Sequence, residues 1–285
     1  MPEHDTISDE DTVLDVRGLS VSYRTTRGER TAVDAVDLQV RRGEILGIAG
    51  ESGCGKSTLA VSILRLLKPP GHVTGGTMTF RTRLGESFDL SSLRGNELRD
   101  VRWKHLAYLP QASMNSLNPV SRIQDQFEDV MRRHLTLSDQ ELGQLIRDLL
   151  AQVGLPFAVA RMYPHELSGG MKQRVVTALS VALTPDLLVA DEPTTALDVT
   201  AQRLIIQNLI ELRDRFAVTV LLITHDMGVH AQLADRVAVM SAGKIVEIGD
   251  VHQIFKQPQH EYTRRLINSI PTLDINQRRV VQVAD

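Results

Sequence analysis

The run GESGCGKST sets Gly50, Gly55, Lys56 and Ser57 in the order G-x-x-x-x-G-K-[ST], with Gly53 between them. Residues of these types at this spacing suit phosphate. Glycines let successive backbone N–H groups turn inward, the Lys56 ammonium reaches β and γ oxygens, and the Ser57 hydroxyl serves as a magnesium ligand. The whole loop is expected to wrap the phosphates of a nucleotide: Gly50, Glu51, Ser52, Gly53, Cys54, Gly55, Lys56, Ser57 and Thr58.

Further along, LLVADEP ends an apolar run on Asp191 and Glu192. Asp191 suits Mg²⁺ held through water, and Glu192 suits a base that polarises water for in-line attack on a γ-phosphate. Alone, two carboxylates at a strand end read as a solvated turn. Downstream of a phosphate loop, at the edge of a parallel sheet, the catalytic reading takes over. A second apolar run ends in THD and puts His225 within reach of the same γ-phosphate. His225 and His230 do not make a metal pair, and without HExxH or CxxC spacing transition-metal catalysis is not expected. Gln111, in AYLPQAS, reads either as a hydrogen-bonding loop residue or as a sensor touching magnesium or the attacking water. Tyr23, at the end of an early strand, is equally suited to stack on adenine or to fill a core. Ser168, Gly169 and Gly170 precede MKQRVVTALSVAL, a helix whose apolar face comprises Met171, Val175, Val176, Leu179 and Leu183. Ser168 is an expected N-cap, and the helix start offers free N–H groups to an anion.

The elements that must position these residues follow from periodicity. VLDVRGLSVSY and TAVDAVDLQV alternate like antiparallel strands, whereas EILGIAG, LLVAD and VTVLLIT are short unbroken apolar runs, as in a parallel sheet. STLAVSILRLL is expected as a helix stopped by Pro69 and Pro70. Between residues 112 and 168 the pattern turns helical, in IQDQFEDVMRRHL and in SDQELGQLIRDLLAQVGL, where Ser138 and Glu141 have capping-box spacing. TAQRLIIQNLIELRDRF reads as a helix, VAVMSAGKIVEIGD as two strands around a turn, and PQHEYTRRLINSI as a last helix. The expected fold is an α/β phosphate-loop NTPase core with a mostly parallel sheet, an N-terminal antiparallel subdomain, an inserted helical subdomain at about 112–168 and a short C-terminal extension.

Composition sets the bounds. The 285 residues are 42% hydrophobic, 24% charged and 4% aromatic, an aliphatic globular composition. A net charge of −3 gives no general pull toward nucleic acid, and Arg94, Arg99, Arg102 and Lys104 read as a solvated helix face. With Cys54 the only cysteine, no internal disulfide or cysteine-only cluster can form, and a reducing cytosol fits. Residues 1–12 are expected to be a flexible acidic tail, and no apolar run is long enough to span a bilayer.

Taken together, GESGCGKST, Gln111, LSGGMKQR, LLVADEP, TALD and His225 resemble the ATP-binding-cassette (ABC) family in order and spacing, across nearly the whole chain. The resemblance implies ATP and Mg²⁺ as ligands and a head-to-tail cassette pair. Ser168 and Gly170 would contact the γ-phosphate held by the partner, and Asp198 would communicate across the interface. SMNSLNP, YPHELSGGMKQR and QPQHEYTRRLINSIP further resemble the oligopeptide, dipeptide and nickel branch of bacterial importers. That branch implies a cassette domain over 13–250 and an extension over 251–285. It also implies two membrane permease subunits docking near residues 111–119, an extracytoplasmic solute-binding protein, and a peripheral place on the cytoplasmic face of the inner membrane. Many relatives carry a cysteine-rich iron–sulfur segment after SIP; no cysteine follows Cys54, so no cluster is expected. Peptides lead as the solute, with nickel chelates and oligosaccharides as alternatives. A soluble cassette ATPase acting on nucleic acid or ribosomes is the rival from another class.

Overall fold

The computed structural model describes residues 11–111, 116–195 and 199–269. Strands β1 (Thr12–Thr25) and β2 (Gly28–Arg41) pair antiparallel, and β4 (Gly71–Arg81) and β5 (Ser87–Asp89) extend them into a four-stranded sheet ordered β2-β1-β4-β5. Strands β3 (Ile45–Ala49), β6 (Leu106–Leu109), β7 (Leu187–Asp191), β8 (Thr219–Ile223), β9 (Arg236–Ser241) and β10 (Lys244–Asp250) form a second sheet, ordered β10-β9-β3-β8-β7-β6. It is parallel from β9 to β6, and only β10 runs antiparallel, at the edge.

The unbroken apolar runs are explained by burial on both faces. Ile45, Leu188, Ala190, Val220 and Leu222 pack into one core. The alternating residues Leu46, Ile48, Leu187, Val189, Leu221 and Ile223 pack into another. The side-chain period of two thus splits three strands between two cores. The first core is filled by α3 (Ile123–His134), α4 (Asp139–Gln152), α5 (Gly169–Ser180) and α6 (Val199–Phe216), through residues such as Phe127, Ile146, Val175 and Leu209. The second joins the antiparallel sheet to α1 (Lys56–Ile63), with Phe80, Leu59 and Ile63 fully buried. Helices α7 (Met227–Leu233), α8 (Val251–Lys256) and α9 (Glu261–Asn268) gather around a third, smaller cluster.

Several expectations are corrected. Helix α1 stops at Ile63, well short of Pro69, because Arg65 adopts φ +56° and its guanidinium bonds the Leu90 and Ser91 carbonyls at 2.8 and 2.5 Å. The antiparallel sheet is not confined to the N-terminus, since β4 and β5 come from residues after α1. Of the basic cluster, Arg94, Arg99 and Lys104 are exposed as expected, but Arg102 is half-buried: it donates to the Leu64 carbonyl at 3.0 Å and to that of Arg65, which caps the end of α1. Arg94 bonds the Ser91 carbonyl at 3.0 Å. Leu183 lies beyond the end of α5. The capping box at Ser138 and Glu141 forms as expected, with reciprocal bonds of 3.4 and 2.8 Å. Among the described residues, no helix is long and apolar enough to cross a membrane.

Candidate active site

Four parallel strands end at one edge of the central sheet, and the residues leaving those strand ends converge there. β3 ends at Ala49 and leads into residues 50–55; β7 ends on Asp191; β8 is followed by Thr224 and His225; β6 is followed by Pro110 and Gln111. A cleft of about 950 Å³ opens at this edge, and Tyr23, Ser52 to Thr58, Gln111, Glu192 and His225 line it. Most of the site residues expected from the sequence are therefore together.

The phosphate loop needs its glycines. Gly50 has φ +148° and a Cβ there would lie 2.2 Å from the Met240 carbonyl oxygen; at Gly55, with φ +115°, it would lie 2.4 Å from that of Ala32. Both positions combine a left-handed backbone with no room for a side chain. Lys56 is 6% exposed, and its ammonium donates to the Gly50 and Glu51 carbonyls at 2.8 and 2.9 Å. Ser57 Oγ donates to Asp191 Oδ1 at 3.1 Å, which links the first turn of α1 to the end of β7. The Tyr108 hydroxyl reaches the other oxygen of Asp191 at 3.4 Å. Burial pushes the Asp191 carboxyl above its ordinary range; the Glu192 charge adds to this and the Ser57 bond opposes it. Burial, with the Asp191 charge beside it, pushes the Tyr108 phenol up to about 12.

Glu192 has φ +48°, uncommon for a residue with a side chain. Its N–H donates to the Ile223 carbonyl at 2.7 Å, which holds the turn against β8. Its carboxylate accepts from Thr195 Oγ1 at 2.9 Å, Thr224 Oγ1 at 3.3 Å and the His225 backbone N–H at 3.1 Å. His225 Nδ1 lies 2.9 Å from the same group, and a proton on that nitrogen makes this a fourth bond. His225 therefore sits against Glu192 within the cleft. Asp226 caps α7 by accepting from Gly228 and Val229 N–H groups, which places His225 just ahead of a helix start.

His230 is a different kind of histidine. It is fully buried, its Nε2 bonds the Thr224 carbonyl at 3.1 Å, and burial pulls its imidazole down to about 4. It fits because β3 carries glycine opposite: a Cβ on Gly47 would lie 2.3 Å from His230 Nδ1. The two histidines are not a pair, and among the described residues no group of three or more His, Cys, Asp or Glu could hold a metal.

Tyr23 lines the cleft but does not end its strand; it lies inside β1, opposite Arg30 and Gly71, and its hydroxyl is 3.2 Å from Thr58 Oγ1. Gln111 is exposed at the cleft, whereas 112–115, where the helical segment would join it, and Asp198 lie outside the described residues. Ser168 caps α5, accepting from Met171 N–H at 3.3 Å. Ser168, Gly169 and Gly170 are exposed and do not line this chain's own cleft. A Cβ on Gly170 would meet nothing within 4 Å.

Sequence reasoning missed the far wall of the cleft: Thr25, Arg30, Thr31, Ala32, Ala242 and Gly243. These come from two hairpin regions that carry no phosphate motif. Gly243 ties them together, donating to the Cys54 carbonyl at 2.9 Å and accepting from Asp34 N–H at 2.9 Å. Tyr108 was also missed, since a strand tyrosine far from any motif gives no signal until β6 pairs with β7.

Comparisons with known proteins agree with this geometry. Residues 33–195 match the family model described as ABC transporter, and residues 246–285 match oligopeptide/dipeptide transporter, C-terminal region. The dipeptide transport ATP-binding protein DppD of Bacillus subtilis is 44% identical over 267 residues, covering 93% of this chain and 78% of that protein. The oligopeptide transport ATP-binding protein OppD of the same organism is 43% identical, covering 92% and 73%. Among solved structures, a dimeric ATP-binding cassette in a post-hydrolysis state with ADP and Pi superposes with a TM-score of 0.72 at 26% identity, covering 84% of this chain and 98% of that one. The cbiO1 protein of Clostridium perfringens, part of the ABC transporter complex cbiONQ, gives 0.71 at 26% identity, covering 87% and 92%. The phosphate loop, the carboxylates at the end of β7 and these matches lead to one conclusion: the chain belongs to the ABC transporter family and is an ATP-hydrolysing cassette.

Proposed function

We propose that this cassette drives peptide import, working at the cytoplasmic face of the inner membrane with a second cassette and two permease subunits, and receiving solute from an extracytoplasmic binding protein. The observation that carries the hydrolytic reading is the convergence of Lys56, Ser57, Asp191, Glu192 and His225 at one sheet edge. The similarity to DppD and OppD, with the match of residues 246–285, supports peptides over nickel chelates or oligosaccharides.

In this reading the loop amides and Lys56 grip the triphosphate and Tyr23 stacks on adenine. Ser57 and Asp191 offer only oxygen donors 3.1 Å apart, the chemistry that Mg²⁺ prefers, and with Gln111 and water they would hold it. There the ion would neutralise charge on the β and γ oxygens. Glu192 is the base. Its lone-pair sites are filled by Thr195, Thr224 and His225, so accepting a proton from water requires one donor to leave. His225 is the donor able to do so, its side chain being 63% exposed. While Nδ1–H points at Glu192, Nε2 donates to a γ-phosphate oxygen only as imidazolium; once the ring turns to phosphate, Glu192 is released for the water.

Gly170 supports the two-cassette arrangement. Gly170 lies in the exposed first turn of α5, and nothing within this chain crowds the position. The open position leaves room for another molecule to approach closely, and the N-terminus of α5 suits that molecule's phosphate. Asp198 and residues 111–119 are assigned to the cassette interface and the permease contact through the family resemblance.

Purification from the native host tests the reading. Co-purification with two membrane subunits, and ATPase activity stimulated by a peptide-loaded binding protein in reconstituted vesicles, is expected. Stoichiometric nucleic acid or ribosomes in place of membrane subunits would overturn it.

A further inference from the structure

Helix α9 reaches the phosphate loop. The backbone N–H of Glu51 donates to the Tyr262 hydroxyl at 3.1 Å, across 211 residues of sequence. The carbonyl of the same peptide unit, that of Gly50, accepts from Lys56 Nζ at 2.8 Å. One peptide plane is thus held from both sides, by Lys56 within the loop and by Tyr262 outside it. The two bonds differ in kind: the Lys56 bond competes with phosphate for the same ammonium, whereas the Tyr262 bond does not. Because residue 50 is a glycine, little steric resistance prevents this peptide from turning over once the ammonium leaves.

Tyr262 is itself held firmly. Glu247 on β10 accepts from the Gln259 and His260 N–H groups at 2.8 and 2.9 Å, which fixes the approach to α9. His260 Nδ1 caps the helix by accepting from Tyr262 N–H at 3.1 Å. The Tyr262 ring packs with Leu266 and Ile267 against a cluster containing Ala49, the last residue of β3, and Met227, two residues after His225. The extension therefore shares a hydrophobic cluster with the strand that leads into the phosphate loop and reaches the loop itself through Tyr262.

We propose that Tyr262 is a positioning residue for nucleotide binding: its hydroxyl holds the Gly50–Glu51 peptide in place so that Lys56 can leave the Gly50 carbonyl for phosphate without the loop turning over. This gives the C-terminal extension a direct part in the ATP site of its own chain. The inference rests on residues 50–58 being the phosphate loop.

The test uses Tyr262→Phe in the full-length chain, which keeps the ring and removes the acceptor. With a fluorescent ATP analogue and Mg²⁺, the dissociation constant is expected to rise about three- to tenfold. Turnover at saturating ATP should stay within about twofold of wild type, so the effect falls on KM. Amide exchange of the peptide containing Glu51 should quicken while the thermal midpoint stays within about 2 °C. Arg265→Ala, on the exposed side of α9 and 3.9 Å from Glu261, should leave affinity unchanged. Wild-type affinity and exchange in Tyr262→Phe would overturn the proposal, as would an equal loss in Arg265→Ala. Lys56→Ala separates the two readings: lost binding there with none in Tyr262→Phe removes only the role of Tyr262, and unchanged binding in both removes the phosphate-loop assignment.

Discussion

Glu192 is surrounded by donors, and that environment defines what each neighbour contributes. Thr195 and Thr224 hold one carboxylate oxygen through hydroxyls, while the other faces the His225 backbone and ring. Replacing Glu192 with Gln preserves shape and removes the basic oxygen. MgATP affinity is expected to stay within about twofold of wild type while turnover falls at least about a hundredfold, the usual scale for a lost general base. Steady-state hydrolysis near wild type in Glu192→Gln would remove this residue from the base role. The pair of carboxylates was legible in the sequence because it ends an apolar run. The threonines were not, because an isolated hydroxyl carries no positional signal until β7 and β8 pair, setting Asp191 opposite Ile223.

At the scale of elements, side chains far apart in sequence hold the ends of strands and helices. Gln173 in α5 donates to the Pro193 carbonyl at 2.9 Å, which ties the LSGG helix to the turn after Glu192. Arg174 caps α4 by donating to the Gly154 carbonyl at 3.1 Å. His230 buttresses the end of β8 through the Thr224 carbonyl and makes stability depend on pH. Its pKa is about 4 when folded and 6.5 when unfolded, so below 6.5 the unfolded chain binds a proton that the folded chain does not. Stability is therefore fully present above 6.5 and declines as pH falls toward 4. Between pH 7 and pH 5 the loss from this residue is about 2 kcal/mol. Urea unfolding at both values should show a steeper fall for wild type than for His230→Gln, and equal slopes would remove His230 as the source.

At the scale of the whole molecule, the cleft at the sheet edge and the exposed start of α5 do not meet within the chain, and in the proposed pairing the second would face the nucleotide of the partner cassette. The cleft at the sheet edge lacks Ser168, Gly169 and Gly170, which lie exposed at the start of α5. Ser168→Asn can keep the N-cap, since asparagine caps as well as serine. It is expected to leave nucleotide binding to this chain's own loop within about twofold while lowering hydrolysis by cassette pairs about tenfold or more, the scale of a lost phosphate donor. Weakened binding to the isolated chain would place Ser168 in its own site and contradict the paired arrangement.

Sequence alone made the loop, the paired carboxylates and the Ser168 N-cap legible, because each rests on a local rule. Glycine spacing makes the loop, apolar runs make buried strands, and Ser168 precedes a helix. Sequence also determined that the central strands are buried on both faces, since continuous Val, Leu and Ile leave no polar side to expose. Tertiary structure alone decided which distant residues complete the site. Strand order brought Tyr108 to Asp191, a hairpin turn set Gly243 on the loop, and α9 returned Tyr262 to Glu51. The physical reason is that a hydrogen bond across 83 or 211 residues depends on how sheets and helices pack, and leaves no periodicity along the chain to read.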